Sequence, residues 1–413
     1  IRFFTLLITG RKMKKLFTLF VVFTLASLST FAQLNVKFEG ELRTRLEIDD
    51  LDFNANTGMH NYINNRARLS AIISNNDDLE FVVRIIDARV FGSEASLQSN
   101  SANLDLNEGY LKIKKNSWEF ILGRQQAKYN NSRLIGYSDW GNTPITFDGA
   151  TVKYYGKGYW LSAFAFRLAD RQMTGDSLDQ NLFGIFSEFK FMENFKFNPY
   201  LMFDRKVPVE NLARLTLGFN ASGYFGPIVH DIDFAYQTGN ITMGRNLDIS
   251  AIMAAINLEF DFKIPSKAAL GAGFSYYSGD KDATDNKYEV FDNTYATKHA
   301  YFGDMDYFKA IPASTYNLGI TDMYAYYKMA LAPWLAAKVT GHLFNSVTAY
   351  KLVSGTESNA FGTEIDLGFM AKYNEYLNFN FGAATFLPGD IFKEKKGKDN
   401  SYWMYAGFHL NFK

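Results

Sequence analysis

The chain has 413 residues, 47% hydrophobic and 17% aromatic, with 39 Phe, 25 Tyr, no Cys, and 43 basic residues balanced by 43 acidic ones. Zero net charge argues against a nucleic-acid partner, and the lack of Cys removes disulfide frameworks and thiolate metal sites. So large an aromatic load would need a very large core in a soluble protein, but it suits the outer belt and girdles of a membrane barrel.

The chain opens with the marks of export. Met13-Lys14-Lys15 is a basic start, Leu16 to Leu28 is a short apolar run, and Thr30-Phe31-Ala32 forms a cleavage site before Gln33. That run is shorter than the roughly 20 residues of a spanning helix. We therefore expect residues 1–12 to be a spurious extension, 13–32 a signal peptide, and 33–413 one outer-membrane β-barrel domain. No stretch of those 381 residues is apolar for long enough to be a transmembrane helix.

From Leu34 to Ile48 the chain alternates almost without slip: Leu34, Val36, Phe38, Leu42, Leu46 and Ile48 are apolar, while Lys37, Glu39, Glu41, Arg43, Arg45 and Glu47 stand between them. Successive strand side chains point to opposite faces, so this segment has one apolar and one charged wall. The pattern returns in segments near 34–48, 60–74, 79–91, 104–114, 118–124, 147–155, 159–169, 181–190 and 195–205. It continues near 211–223, 229–237, 249–262, 268–277, 317–329, 335–345, 362–372, 377–386 and 401–412. These segments predict an all-β fold, a transmembrane antiparallel up-and-down β-barrel of about 18 strands, or 16 if two weak segments fail. Connectors support it, because short Gly-, Pro- and Asn-rich turns such as Lys115-Asn116-Ser117, Gly156-Lys157-Gly158 and Gly226-Pro227 alternate with long ones such as 125–146 and 278–316. Within Phe81 to Arg89 the polar phase changes, and a bulge near Ile85 is expected.

Glu108-Gly109-Tyr110-Leu111, Leu122-Gly123-Arg124-Gln125, Arg133-Leu134-Ile135-Gly136, Asp139-Trp140 and Phe147-Asp148-Gly149 resemble the alginate-export family of outer-membrane porins. So does Phe291 to Asp306, with its His299-Ala300-Tyr301-Phe302-Gly303-Asp304 run. The resemblance implies an eighteen-stranded barrel in the bacterial cell outer membrane, with a pore lined by arginines, guarded by a few carboxylates, that passes an anionic polysaccharide or other anionic solutes. Thr146 stands where that family often has a basic residue.

Arginine is unevenly spread: Arg43, Arg45, Arg66, Arg68, Arg84, Arg89, Arg124 and Arg133 all fall in the first third of the mature chain, and none follows Arg245. We expect these eight to line the pore, with Glu39, Glu41, Glu108 and Asp148 as lumen carboxylates. A guanidinium keeps its charge at any working pH and grips a carboxylate through two parallel bonds, which suits anion selectivity. The same carboxylates allow a second role, cross-strand pairing that stiffens the wall.

The functional expectation is a passive channel for anionic solutes or acidic polysaccharide and oligosaccharide, without enzyme activity or cofactor. Expected partners are outer-membrane lipid, the anionic solute and the barrel-assembly machinery, which would read the last strand through Tyr405, Gly407, Leu410 and Phe412. A general non-selective porin is the alternative, and an outer-membrane lipase built on His342 and Ser346 a weaker rival. The aspartates of loop 278–316 (Asp280, Asp282, Asp285, Asp292, Asp304 and Asp306) raise a calcium-binding lid, although their spacing fits no EF-hand.

Overall fold

A computed structural model describes residues 34–75, 78–93, 103–170, 179–208 and 210–412. The expected extension and signal peptide lie outside the described residues. Of nineteen strands, one has only two residues, Lys287–Tyr288, and the other eighteen build the wall. They are β1 (Leu34–Asp50), β2 (His60–Asn75), β3 (Leu79–Val90), β4 (Leu104–Lys115), β5 (Trp118–Gln125), β6 (Phe147–Gly156), β7 (Tyr159–Asp170), β8 (Asp179–Met192) and β9 (Phe195–Val207). The second half comprises β10 (Leu212–Phe225), β11 (Ile228–Thr242), β12 (Asn246–Asp261), β13 (Ala269–Tyr277), β14 (Ile320–Ala332), β15 (Leu335–Lys351), β16 (Glu357–Lys372), β17 (Leu377–Pro388) and β18 (Ser401–Phe412). Each strand pairs antiparallel with its sequence neighbours, and β1 closes on β18 from Gly40↔Phe412 to Asp50↔Tyr402. All eighteen expected strands are present and the count of sixteen is excluded.

The wall inverts the exposure rule of soluble proteins. On β1, Phe38 is 67% exposed while Arg45 and Glu47, of opposite parity, are 6% and 5% exposed. Apolar rows therefore face lipid and charged rows face the lumen, because the bilayer offers no partner for a charge and the interior does. At the short-turn rim, Trp118, Tyr224, Phe225, Trp334 and Tyr373 stand exposed as an aromatic girdle. In one turn Asn116 takes φ 53°, a left-handed position that Asn tolerates.

Two departures from simple alternation matter below. The register break does occur beside Ile85, but β3 pairs regularly with β2, and the extra residue is Asn107 on β4: Arg84 pairs with Glu108 and Ile85 with Leu106. That leaves Asp87 and Arg89 in the outward phase with Phe81 and Ile85. At the long-loop rim, β15 and β16 run past their expected ends, pairing irregularly to Lys351↔Glu357.

The long connectors do not all stand outside. Residues 126–146, between β5 and β6, and 278–319, between β13 and β14, fold into the barrel. Ile135, Phe291, Phe302, Phe308 and Ile311 are almost fully buried there, packed with inward residues such as Phe344 and Phe386. Burying each such side chain contributes roughly 1.5–3 kcal/mol, so these loops form a packed plug in the long-loop half. A four-residue helix, α1 (Ile311–Ser314), and α2 (Asp390–Lys395) belong to this packing.

Candidate pore constriction

Antiparallel register sets the arginines side by side. Arg43 on β1 pairs with Arg66 on β2, and Glu41 with Arg68, so one inward patch carries three guanidiniums and one carboxylate. Glu41 holds two of them: its Oε1 accepts from Arg66 Nε at 2.8 Å and Nη2 at 2.6 Å, and its Oε2 accepts from Arg68 Nε at 2.9 Å. Arg84 donates to Ser70 Oγ at 2.7 Å, lies 3.4 Å from Glu39 and pairs with Glu108. Arg45 pairs with Glu47 at 2.7 Å.

The remaining donors grip the inward loop. Arg43 donates to the carbonyls of Asp139 and Gly141 at 2.6 and 2.7 Å, and Arg66 donates to the same two at 3.0 and 3.1 Å. The Asp139 carboxylate bridges Arg68 at 3.1 Å and Arg66 at 3.2 Å. The Arg45 guanidinium lies 3.8 Å from the Trp140 ring centre. Trp140 in turn stacks on His299 of the second loop, 4.0 Å away and nearly parallel. His299 Nδ1 is 3.1 Å from Asp306 and Lys309 is 2.9 Å from it. Burial alone would raise the Asp306 carboxyl, but these two partners outweigh it and hold it below its ordinary value.

The same loop is fixed on the far wall. Arg133 lies 3.4 Å from Asp233 on β11, donates to Ser275 and Tyr277 on β13 at 3.3 and 3.4 Å, and stacks on Tyr301 at 3.9 Å. Asn131 donates to Asp231 and Asp233 at 2.8 and 2.5 Å. In an eighteen-strand ring β1 and β2 stand nearly opposite β11, so residues 126–146 cross the lumen and divide it. One cavity of about 230 Å³ lies against the arginine wall, touching Glu39, Glu41, Arg68 and Arg84. Another of about 360 Å³ lies against β12 to β16. Gly303, at φ 82°, is pressed against Glu364, where a Cβ would collide with the carboxylate, and Met305 N donates to that group at 2.8 Å.

Five of the eight expected arginines (Arg43, Arg45, Arg66, Arg68 and Arg84) thus face the lumen, as do Glu39, Glu41 and Glu108. Three do not line it. Arg89 faces outward and pairs with Asp87, because β3 keeps its phase against β2. Arg124 shares its face with the exposed Trp118, Phe120 and Leu122, and grips Asp148 at 2.7 Å on that outer wall, so Asp148 is likewise no lumen carboxylate. Arg133 is a loop residue, 5% exposed, that latches the loop. The sequence does not mark Asp139, Trp140 and Gly141 as the arginines' partners, although Asp139-Trp140 belongs to the family pattern.

The rival chemistries are not assembled. Ser346 Oγ donates to the Thr348 carbonyl at 2.7 Å, while His342 Nδ1 faces Asp322 at 3.0 Å. The loop aspartates are dispersed: Asp292 pairs with Arg214 at 2.7 Å, Asp306 with His299 and Lys309, and Asp282 accepts from Thr284 N at 2.9 Å. Among the described residues no group of three His, Asp or Glu is arranged to hold a metal.

A closed eighteen-strand barrel with apolar rows outside, short turns at one rim and a loop narrowing a charged lumen defines an outer-membrane porin. The chain belongs to the alginate export family, which matches residues 34–406. Its place is therefore the bacterial outer membrane, with the short turns periplasmic and the long loops extracellular. Solved structures with this fold include Pseudomonas aeruginosa OccK8 (OprE), at 14% identity and TM-score 0.61 over 92% of this chain and 99% of that one. Acinetobacter baumannii OccAB4 matches at 12% identity and TM-score 0.60 over 92% and 98%. P. aeruginosa OpdK, solved with vanillate, matches at 12% identity and TM-score 0.60 over 91% and 98%. No curated protein matches the chain in sequence.

Proposed function

We propose that the protein is a passive channel that favours small acidic solutes, including short acidic saccharides, over neutral and cationic ones. The observation that carries this reading is Arg43: its hydrogen bonds go only to the carbonyls of Asp139 and Gly141, with no carboxylate in ion-pair range among the described residues, and its cross-strand neighbours place Arg68 and Arg84 on the wall of the adjoining cavity. Attraction of unit charges near 4 Å runs from about 1 kcal/mol in water to about 4 at intermediate dielectric, enough to bias passage without trapping the solute. The family's association with alginate, an acidic polymer, and the vanillate carboxylate bound to OpdK fit the same sign. The crossing loop favours short solutes, since a polymer thread would have to displace it. Segment 13–32 and the final strand fit export and recognition by the barrel-assembly machinery.

Reversal potentials in planar bilayers under a KCl gradient test the proposal. Anion preference that falls in Arg43→Ala is expected, and a preference for cations overturns it. A second reading, a general porin with structural charges, draws on one fact: the five arginines of the β1–β3 wall face five carboxylates, Glu39, Glu41, Glu47, Glu108 and Asp139. A wild-type reversal potential near zero, unmoved in Arg43→Ala, selects it.

A further inference from the structure

The larger cavity lies across the lumen from the arginines, and its wall is built differently. Tyr324 and Tyr326 on β14 pair with Gly273 and Gly271 on β13. A Cβ on either glycine would collide with the facing ring, so both tyrosines lie down over bare backbone. Their hydroxyls are tied at the far edge: Tyr324 donates to Asn257 Oδ1 at 3.1 Å and Tyr326 to Glu259 Oε2 at 2.8 Å. One face of each ring is thus spent on the wall, and both half-buried rings border the cavity, where Lys338 also reaches over Tyr326. The two rings are 6.4 Å apart and 17° from parallel, and His342 continues the row 5.4 Å beyond Tyr324.

The ends of this row differ in charge. At the periplasmic end Lys328 and Lys338 are directly opposed across β14 and β15. Lys328 is neutralised by Glu259 at 2.6 Å, whereas Lys338 lies 4.9 Å over the Tyr326 ring and, among the described residues, has no ion pair. At the inner end stand Asp322 and Asp366 beside His342.

We propose that this row is a stacking platform for the ring of a carboxylate-bearing solute, aromatic or pyranose, whose anionic end rests at Lys338 while the inner aspartates keep it from turning round. The platform rests on the acidic-solute reading above and narrows it to ring-bearing acids. An aromatic face gains from stacking, a lysine supplies a point charge, and fixing the rings beforehand removes the ordering cost.

Single-channel recordings with benzoate, glucuronate and acetate test it. Concentration-dependent block by benzoate and glucuronate should exceed that by acetate, and Tyr324→Leu with Tyr326→Leu should lower the benzoate-to-acetate binding ratio about three- to tenfold. Lys338→Gln should weaken benzoate more than phenol. Heat-modifiable gel mobility verifies that each variant is folded. Equal block of the wild type by benzoate and acetate overturns the platform without use of any variant, as does an unchanged ratio in the folded tyrosine variant. A KCl gradient in the same membranes reads charge preference separately: cation-favouring potentials remove the acidic-solute reading, whereas loss of ring preference with anion selectivity intact removes the platform alone.

Discussion

Glu41→Gln separates what the arginine wall does for the fold from what it does for ions. Glu41 accepts from Arg66 and Arg68 through both oxygens, and the side chains of Arg66 and Glu41 are 0% and 7% exposed. The amide removes one negative charge and turns an N–H donor toward a guanidinium that is already a donor. Breaking a buried pair in this way costs about 3–5 kcal/mol. The Asp139 and Gly141 carbonyls still accept from Arg66, which points to the lower end, about 3 kcal/mol or a factor of roughly 150 in the unfolding equilibrium. Urea unfolding in lipid vesicles, followed through the 5 Trp residues, reads this directly. The same substitution leaves the five arginines of that wall facing four carboxylates, so the reversal potential should move further toward anions. A shift of less than about tenfold in the unfolding equilibrium would refute the claim that Glu41 holds the patch together. Lost stability with an unmoved potential would show that these charges serve the wall alone.

Trp140→Ala removes the ring between Arg45 and His299, worth about 2 kcal/mol of stacking and cation–π attraction, so single-channel conductance and open-channel noise should rise; an unchanged conductance would mean that residues 126–146 do not set the narrowest passage. Because the Asp306 carboxyl is held below the ordinary 3.8, it stabilises the loop at and above that pH and releases it as pH falls through the lower, folded value. Protection factors for amide exchange at residues 299–308, corrected for the intrinsic rate at each pH, should therefore stay high at about pH 5 and fall below about pH 4, and Asp306→Asn should remove that acid step. Arg124→Ala breaks a pair on the outer wall and should leave the reversal potential where it is, in contrast to Arg43→Ala; a shift of equal size would return Arg124 to the lumen.

The fold was legible because a barrel wall has a period of two and only one side may be charged, a rule that leaves its mark in every strand. Where the rule lapses, so does legibility. The upper parts of β15 and β16 rise beyond the lipid, where Tyr350 and Ser358 pair without an apolar face to betray the strand. Arg124 and Asp148 sit in the outward phase, and Arg124 follows Trp118, Phe120 and Leu122 at two-residue steps, so its sequence did carry the signal. A charge is tolerated there because the strand is ending: near the interface an outward Arg costs about 0–1 kcal/mol rather than the 2–4 of the midplane, and Asp148 offsets part of that.

The site was less legible for a different reason. Parity alone places Arg43, Arg45, Arg66, Arg68 and Arg84 on one inner wall, but it cannot say what they hold, since Arg43 is held by carbonyl oxygens alone and Arg45 and Arg66 in part, and every residue carries one. Which carbonyls turn toward a guanidinium depends on the path of residues 126–146, set by Arg133 and Asn131 on the opposite wall and by the stacking of Trp140 on His299. The two most distinctive stretches of the sequence, around Asp139-Trp140 and His299-Asp304, therefore meet each other across the lumen. On the proposed anion preference, constriction and selectivity are coupled through the same donors: a solute that draws Arg43 or Arg68 toward itself weakens the grip on Asp139, and a change that frees the loop also exposes positive charge to the passage. A wall of this kind widens and becomes more cationic in one step.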